Sequence, residues 1–528
     1  MYDCLGVMFL IAALFFLIGK RVNFLFHGFD WCIPLGIIER ARCGQVPGRD
    51  YCTTLPAAYV AIYLLLSRRL KNWSDMHIFK YAVSAAVFLT VYFCLKTEGS
   101  SLALMAAFAC ALAMSGVYQV VWYTELTYLN ILAIILVLQV GGDSLLALAT
   151  VGFLCGVALF QRPNIAWLFL PILAIYLLGT LTLQGITSCA MGAVAAIIGL
   201  HLTLPHYTLK TLPRFLKLRS RVSQSWVFMP EMDAYTKLRY LFLYVSLFLL
   251  SIFVACVVGR NAAFVVVNGS LISGIALAVA AIGGLKLNKD AKEADCAAIV
   301  FGFALISQAL PPDIRREAGM NIGLLAAFAL VGISSGVSMF RAERIRFQTM
   351  APIERIPADQ LTKMERAVMR YAPSLAPESA SRQWRDRYAS YQEPRAVLHE
   401  SRLKGLLASA RMRSVIDFVQ TQIVDAGIKE DCFFGDHLEW LYYAFSIRPS
   451  TGLPLLWHNG NLFLDEDVPS FVSDKGLPQN RYFVFTYKNT LRWQEYNYPD
   501  AVIDWFKAEL VEMTRSEYVI LFKKKEAL

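Results

Sequence analysis

Cysteine pairs are what this chain most plainly lacks. Its 11 cysteines stand singly, mostly inside apolar runs where they behave as small hydrophobes. No CxxC occurs, which argues against a zinc site, so no metal ligands are assigned. Charge is also scarce, at 17% of residues against about 25% in ordinary soluble domains. Internal repeats and low-complexity tracts are missing, and no nucleic-acid motif is present, so nucleic acid is not an expected partner. The first apolar run has no basic n-region and no small-residue cleavage site, so it does not read as a cleaved signal peptide.

What is present is apolar sequence, 57% of 528 residues. It is concentrated before residue 341 in runs suited to roughly 30 Å of hydrocarbon. The clearest are Leu238 to Val258, Ala262 to Gly284 and Asn321 to Phe340. Shorter ones are Leu5 to Gly19, Thr54 to Leu66, Tyr81 to Leu95, Leu102 to Val117, Leu126 to Val140 and Leu145 to Phe160. Ile165 to Leu183, Ile186 to Leu204 and Asp295 to Leu310 complete the set. The fold class that follows is an all-α polytopic transmembrane bundle of about 11–13 helices, with the lipid bilayer as its first partner.

The net charge of +10 fits the enrichment of basic residues in cytoplasmic loops. By that rule Arg68, Arg69, Lys71 and Lys80 flank a cytoplasmic loop, which puts the preceding loop, residues 20–52, outside. That loop holds Cys32, Cys43 and Cys52; a disulfide between two of them and three free thiols are both open readings. Its middle suits a short interfacial helix, with Leu35, Ile38 and Ala41 on one face and Glu39, Arg40 and Arg42 beside it. A second long loop, Pro205 to Tyr240, is rich in Lys and Arg. It reads equally as a basic cytoplasmic loop and as an interfacial helix.

After Arg341 charges become frequent and long apolar runs stop, which divides the chain into a membrane domain, 1–340, and a soluble domain, 341–528. Helical spacing recurs at Leu361, Met364, Val368 and Tyr371, and at Val415, Phe418, Val419 and Ile423 with Gly427 as C-cap. β-rich runs follow at Cys432 to Phe434, Tyr482 to Tyr487 and Tyr518 to Phe522, so the C-terminal domain is expected to be α/β.

The strongest local pattern lies in the first loop. Asp30 sits near the outer end of the first membrane helix, and Gly44-Gln45-Val46-Pro47-Gly48-Arg49-Asp50-Tyr51 follows, with Pro56 opening the next apolar run. FDW…ERARCGQVPGRDY…LPA resembles the first extracytoplasmic loop of GT-C glycosyltransferases, polytopic enzymes that use sugars linked to polyprenyl phosphates. Gly156 to Asn164, GVALFQRPN, is similar to that family's glycine-rich helix ending in a basic-Pro pair. Trp31 follows Asp30 where the family often carries Glu, Asp or Gly, so a paired carboxylate is missing there. The close match covers about thirty residues; the rest agrees in hydropathy only.

The resemblance implies an inverting membrane glycosyltransferase of the bacterial inner membrane, with its active site facing outside. Donor and acceptor would be a polyprenyl-phosphate sugar and a glycan, lipid or protein. Asp30 would be the base that takes the acceptor hydroxyl's proton. Arg42, Arg49 and Arg162 are candidates for the leaving phosphate, which needs cations for its developing charge. Family members differ on a divalent metal, so the cofactor is left open. The lack of a recognisable nucleotide-sugar domain fits a lipid donor.

Further candidates come from the residues alone. Asp50 is a second carboxylate in the loop; it reads as functional, or as a partner of Arg49 or Arg42, or as a helix cap. Glu125 begins a membrane segment, where acidic groups are costly and often functional, although a helix N-terminus also favours one. His27 and His206 lie near membrane ends, and His206 is kept as a substrate-binding candidate. Asp436, His437 and Glu439 match no strong metal spacing and read better as a helix start. The alternative function is a transporter or flippase for a lipid-linked substrate; a non-catalytic assembly partner is a third. Twelve crossings from a cytoplasmic N-terminus leave the C-terminal domain inside, whereas acceptor chemistry wants it outside with Asp30. The expectation adopted is outside, with one short run, Leu102 to Val117 or Leu126 to Val140, failing to cross.

Overall fold

The computed structural model describes residues 2–22, 32–115, 120–141, 144–210, 269–287, 292–310, 319–348, 395–397, 402–404, 406–435, 438–455, 457, 463, 465–486, 498–516 and 518–525. They form two compact units. The first holds the described parts of 1–21, 78–203 and 231–341; the second holds those of 22–77, 204–230 and 342–528. The division expected at residue 341 follows the chain, whereas packing groups 22–77 with the C-terminal residues.

The first unit is helical. Its elements are α1 (Tyr2–Val22), α4 (Trp73–Leu95, entering from the second unit), α5 (Ser100–Ser115), α6 (Tyr123–Gly141), α7 (Leu145–Leu159), α8 (Pro163–Thr180), α9 (Leu183–Thr203), α10 (Gly269–Leu287), α11 (Lys292–Gln308) and α12 (Met320–Gln348). Among the described residues, three stretches are long and apolar enough to cross a membrane: Trp73–Glu98, Tyr123–Gly141 and Leu183–Thr203. Shorter apolar helices account for most of the other expected runs. Leu238 to Val258 lies outside the described residues. Large apolar side chains such as Met8, Phe9, Leu146, Leu202 and Ile322 stand exposed on these helices, as a lipid-facing surface requires.

Small residues let the helices approach closely. A Cβ at Gly152 of α7 would strike the Cys189 carbonyl of α9, and one at Gly192 would strike the Ala149 carbonyl. Gly274 of α10 and Gly302 of α11 face each other in the same way: a Cβ on either would come within 2.5 or 2.7 Å of the other's carbonyl oxygen.

The start of α4 corrects one expectation. Asp75 accepts from the backbone N–H groups of Lys71 (2.7 Å) and Asn72 (3.0 Å), while the Asn72 amide oxygen accepts from Asp75 N–H (3.0 Å). This reciprocal cap starts the helix at Trp73. Lys80 therefore sits two turns inside α4, fully buried, and does not flank a loop.

A second correction concerns Thr54 to Leu66. The run forms α3 (Ala57–Leu66), whose 10 residues rise about 15 Å, half of what a crossing needs. Both of its flanks are held by the same C-terminal body. On one side Leu455 N–H donates to Cys52 O (2.8 Å) and Gly452 N–H to Asp50 O (2.7 Å). On the other, the Tyr443 hydroxyl donates to Leu70 O (3.3 Å) and Trp73 N–H to Arg402 O (3.0 Å). Two ends fixed to one body do not lie on opposite sides of a bilayer.

The second unit is built around a small sheet. β4 (Cys432–Phe434), β6 (Tyr482–Thr486), β8 (Val519–Lys524) and β7 (Leu510–Arg515) lie side by side in that order. β4 and β6 run parallel and the other pairs antiparallel. All three β-rich runs of the sequence are strands here. Phe433, Phe483 and Phe485 point to a core shared with Trp457, Phe471 and Tyr498, covered by Phe506 from α15 (Asp500–Glu509). The expected helix near Val415 is α13 (Ala410–Val419), continued by a π turn over Gln420–Val424. Gly427, at φ +76°, ends it. The helix expected around Leu361 to Tyr371 lies outside the described residues.

Candidate functional site

The first loop enters the second unit as α2 (Cys32–Arg42). The interfacial helix expected here does form, but it is enclosed. Ile33, Leu35, Ile37 and Ile38 are buried, and so are Glu39 and Arg40. Its neighbours are α3 and α14 (Trp440–Phe445). Gly44 at φ +73° turns the chain out of the helix.

Buried charges on α2 must find partners, and they find them about 360–410 positions away. Arg40 donates to Gln45 Oε1 (2.8 Å), Ser450 O (2.8 Å) and Pro454 O (3.4 Å), with its guanidinium 4.8 Å from the Tyr51 ring centre. Burial pulls its pKa down. Gln45 Nε2 donates to Pro449 O at 2.5 Å. Glu39 accepts from Arg402 (2.5 Å) and Arg42 (3.4 Å); burial raises its carboxyl pKa and the two arginines oppose that shift. Arg42 also donates to Ser67 O (3.1 Å) and Leu70 O (2.7 Å), so this candidate phosphate ligand is engaged in joining α2 to the end of α3.

The motif itself is a tight turn. Asp50 Oδ2 accepts from Val46 N–H (2.7 Å), and Asp50 N–H returns a bond to Val46 O (2.8 Å). Arg49 grips the same carboxylate with two bonds, 3.0 and 2.8 Å. Of the partners open to Asp50, the structure chooses Arg49 and not Arg42. Arg49 holds the carboxyl below its ordinary range, with the Val46 amide and the nearby His206 adding to the effect. Gly48 has φ +79°, and a Cβ there would lie 2.8 Å from His206 O. His206 is exposed. After the turn, β1 (Tyr51–Cys52) pairs in parallel with β5 (Leu453–Pro454). Cys43 carries a free thiol. Asp30 and His27 lie outside the described residues, as do Asp436 and His437.

Glu125 and Arg162 belong to the first unit, in two fully buried ion pairs. Glu125, in the first turn of α6, pairs with Lys80 of α4. Arg162, at the N-cap of α8, lies 3.4 Å from Asp295 in the first turn of α11. Asp295 also accepts from the Tyr128 hydroxyl. Glu125 and Tyr128 are one turn apart on α6, so α6 touches both pairs through one face. Asn130 adds bonds to Gln161 Oε1 (3.1 Å) and Leu154 O (2.9 Å). Sequence reading singled out Glu125 and Arg162 but not their partners Lys80 and Asp295. The signal for Asp295 was a lone acid at the head of an apolar run.

The candidates thus fall into two groups, Arg42, Arg49, Asp50 and His206 in one unit and Glu125 and Arg162 in the other. Among the described residues no cluster of three or more His, Cys, Asp or Glu is arranged to hold a metal ion. Compared with known proteins, the chain matches no family model and no curated sequence.

Proposed function

We propose that the chain is a polytopic membrane glycosyltransferase of GT-C type, with about 11–13 crossings. It transfers a sugar from a polyprenyl-phosphate donor to a glycan, lipid or protein acceptor on the outer face of a bacterial inner membrane. Asp30 is the base, two positions before Cys32 in the sequence, where α2 begins. The observation that carries this reading is the pairing of the motif loop with the C-terminal body through β1 and β5. A domain so joined to the loop shares its compartment, which supports a role in holding an acceptor. The cation for the leaving phosphate is Arg49, exposed at the turn, or else Arg162.

The test is transfer of radiolabelled sugar from a polyprenyl-phosphate donor by purified protein. Asp30→Asn should lower the rate by about two to four orders of magnitude. A rate within about threefold of the parent would remove Asp30 from the mechanism, since a lost general base costs far more. Efficient direct use of a nucleotide sugar would remove the lipid donor.

A second reading, a transporter or flippase, draws on the two buried ion pairs, because ionisable groups at membrane depth commonly mark transport paths. Movement of a lipid-linked sugar across reconstituted vesicles without any bond cleavage would favour it.

A further inference from the structure

The turn between α3 and α4 has a composition that neither functional reading uses. Arg68, Arg69 and Lys71 are exposed, and no ion pair to any of them is among those found in the described residues. The nearest acid in sequence, Asp75, is occupied as the cap of α4. Three residues before Arg68, Leu65 is 70% exposed on a helix whose first five residues are buried. Immediately after the turn the chain enters Trp73–Glu98, a stretch of membrane-crossing length. Leu70, between the basic residues, is buried, and its carbonyl is tied to Arg42 and Tyr443. The turn is therefore fixed in place while its charges face outward.

We propose that Arg68, Arg69 and Lys71 form a binding edge for the anionic phosphate headgroups of one leaflet, the leaflet on the side that carries the first loop and the C-terminal domain. The three charges meet headgroup phosphates, and Leu65 meets the acyl boundary beneath them. Because α3 does not cross, this basic turn lies on the same side as the described residues of 32–56 and 402–525. The proposal rests on charge complementarity and on the position beside a span, and it stands independently of glycosyl transfer.

Two measurements test it. In a background free of native cysteines, Asn72→Cys and Ser473→Cys, both at exposed positions, should react with a membrane-impermeant maleimide from the same side of sealed vesicles. Reaction from opposite sides overturns the proposal. Reaction of both from the cytoplasmic side only supports it while overturning the outward-facing active site proposed above. The second measurement is native mass spectrometry of lipid retained from mixed phosphatidylglycerol and phosphatidylcholine. Each basic side chain near a membrane surface is worth about fivefold, so the triple variant Arg68→Gln/Arg69→Gln/Lys71→Gln should lose about a hundredfold of its preference for the anionic lipid. A control pair on the C-terminal domain, Lys429→Gln/Lys475→Gln, should keep it. An unchanged preference in the triple variant refutes the headgroup contact.

Discussion

Replacing one partner of the Arg162–Asp295 pair tests whether the buried charges of the first unit hold its helices together. Both side chains have no exposed surface and stand 3.4 Å apart. At an effective dielectric of about 20 the attraction is about 5 kcal/mol. Desolvation offsets much of it, so the pair itself adds little net stability. Removing one member is different, because it strands the other charge. Asp295→Asn should therefore destabilise by about 3–5 kcal/mol while leaving an oxygen to accept from the Tyr128 hydroxyl. Arg162→Gln should cost a similar amount. The double variant Arg162→Gln/Asp295→Asn leaves no charge behind and should cost much less than the two singles added, a coupling of about 2 kcal/mol or more. The assay is reversible unfolding in detergent titrated with sodium dodecyl sulfate and followed by tryptophan fluorescence. Single costs that add within about 0.5 kcal/mol would refute the reasoning, since groups that do not interact behave that way. Sugar transfer by the double variant separates the roles. A stable but inactive double variant assigns Arg162 to the reaction, and a stable, active one assigns the pair to architecture.

Three further outcomes are expected. Arg40→Ala removes the guanidinium that joins Gln45, Ser450 and Pro454, and should cost about 3 kcal/mol and open the Cys43 to Asp50 segment to limited proteolysis; unchanged cleavage would count against the clasp. Gly48→Ala forces a side chain into the left-handed region, 2.8 Å from a carbonyl oxygen, and should cost at least about 1–2 kcal/mol in thermal unfolding; a stability equal to the parent's would show that the turn relaxes freely. The Asp50 carboxyl is held low by Arg49, so its contribution is present above the unfolded carboxylate pKa of about 3.9 and is lost as pH falls through the lower folded value. Asp50→Asn should accordingly lessen the fall in stability below about pH 4, and an identical acid profile would contradict this.

Local pattern carried much of the architecture. The runs around Cys432, Tyr482 and Tyr518 announced their strands through aromatic and β-branched content, and Gly427 announced the end of α13. Pattern misled where the deciding partner is remote. Thr54 to Leu66 is apolar enough for a crossing, and only its ties to Arg402, Tyr443 and Leu455 show a helix held at both ends by one body. Lys80 obeys the charge rule as a flank until Glu125, 45 positions on, claims it. At the motif, adjacency was enough to name Arg49 as a partner of Asp50. The clasp of Arg40 on Ser450 and Pro454 left no trace in either segment, because its acceptors are backbone carbonyls, which every residue possesses.

The parallel pairing of β1 with β5 also sets a timetable for biogenesis. Arg40 and its acceptor at Pro454 are separated by 414 positions. At roughly 5–20 residues per second of synthesis, α2 waits on the order of 20–80 s for the segment that completes it. Throughout that interval Arg40 and Glu39 must stay hydrated, since the partners that permit their burial have not been made. The helix α2 thus emerges long before the segment that gives it its final shape. Ribosome-bound chains halted before residue 450 should hold the first loop open, and those extended past Leu455 should let it close.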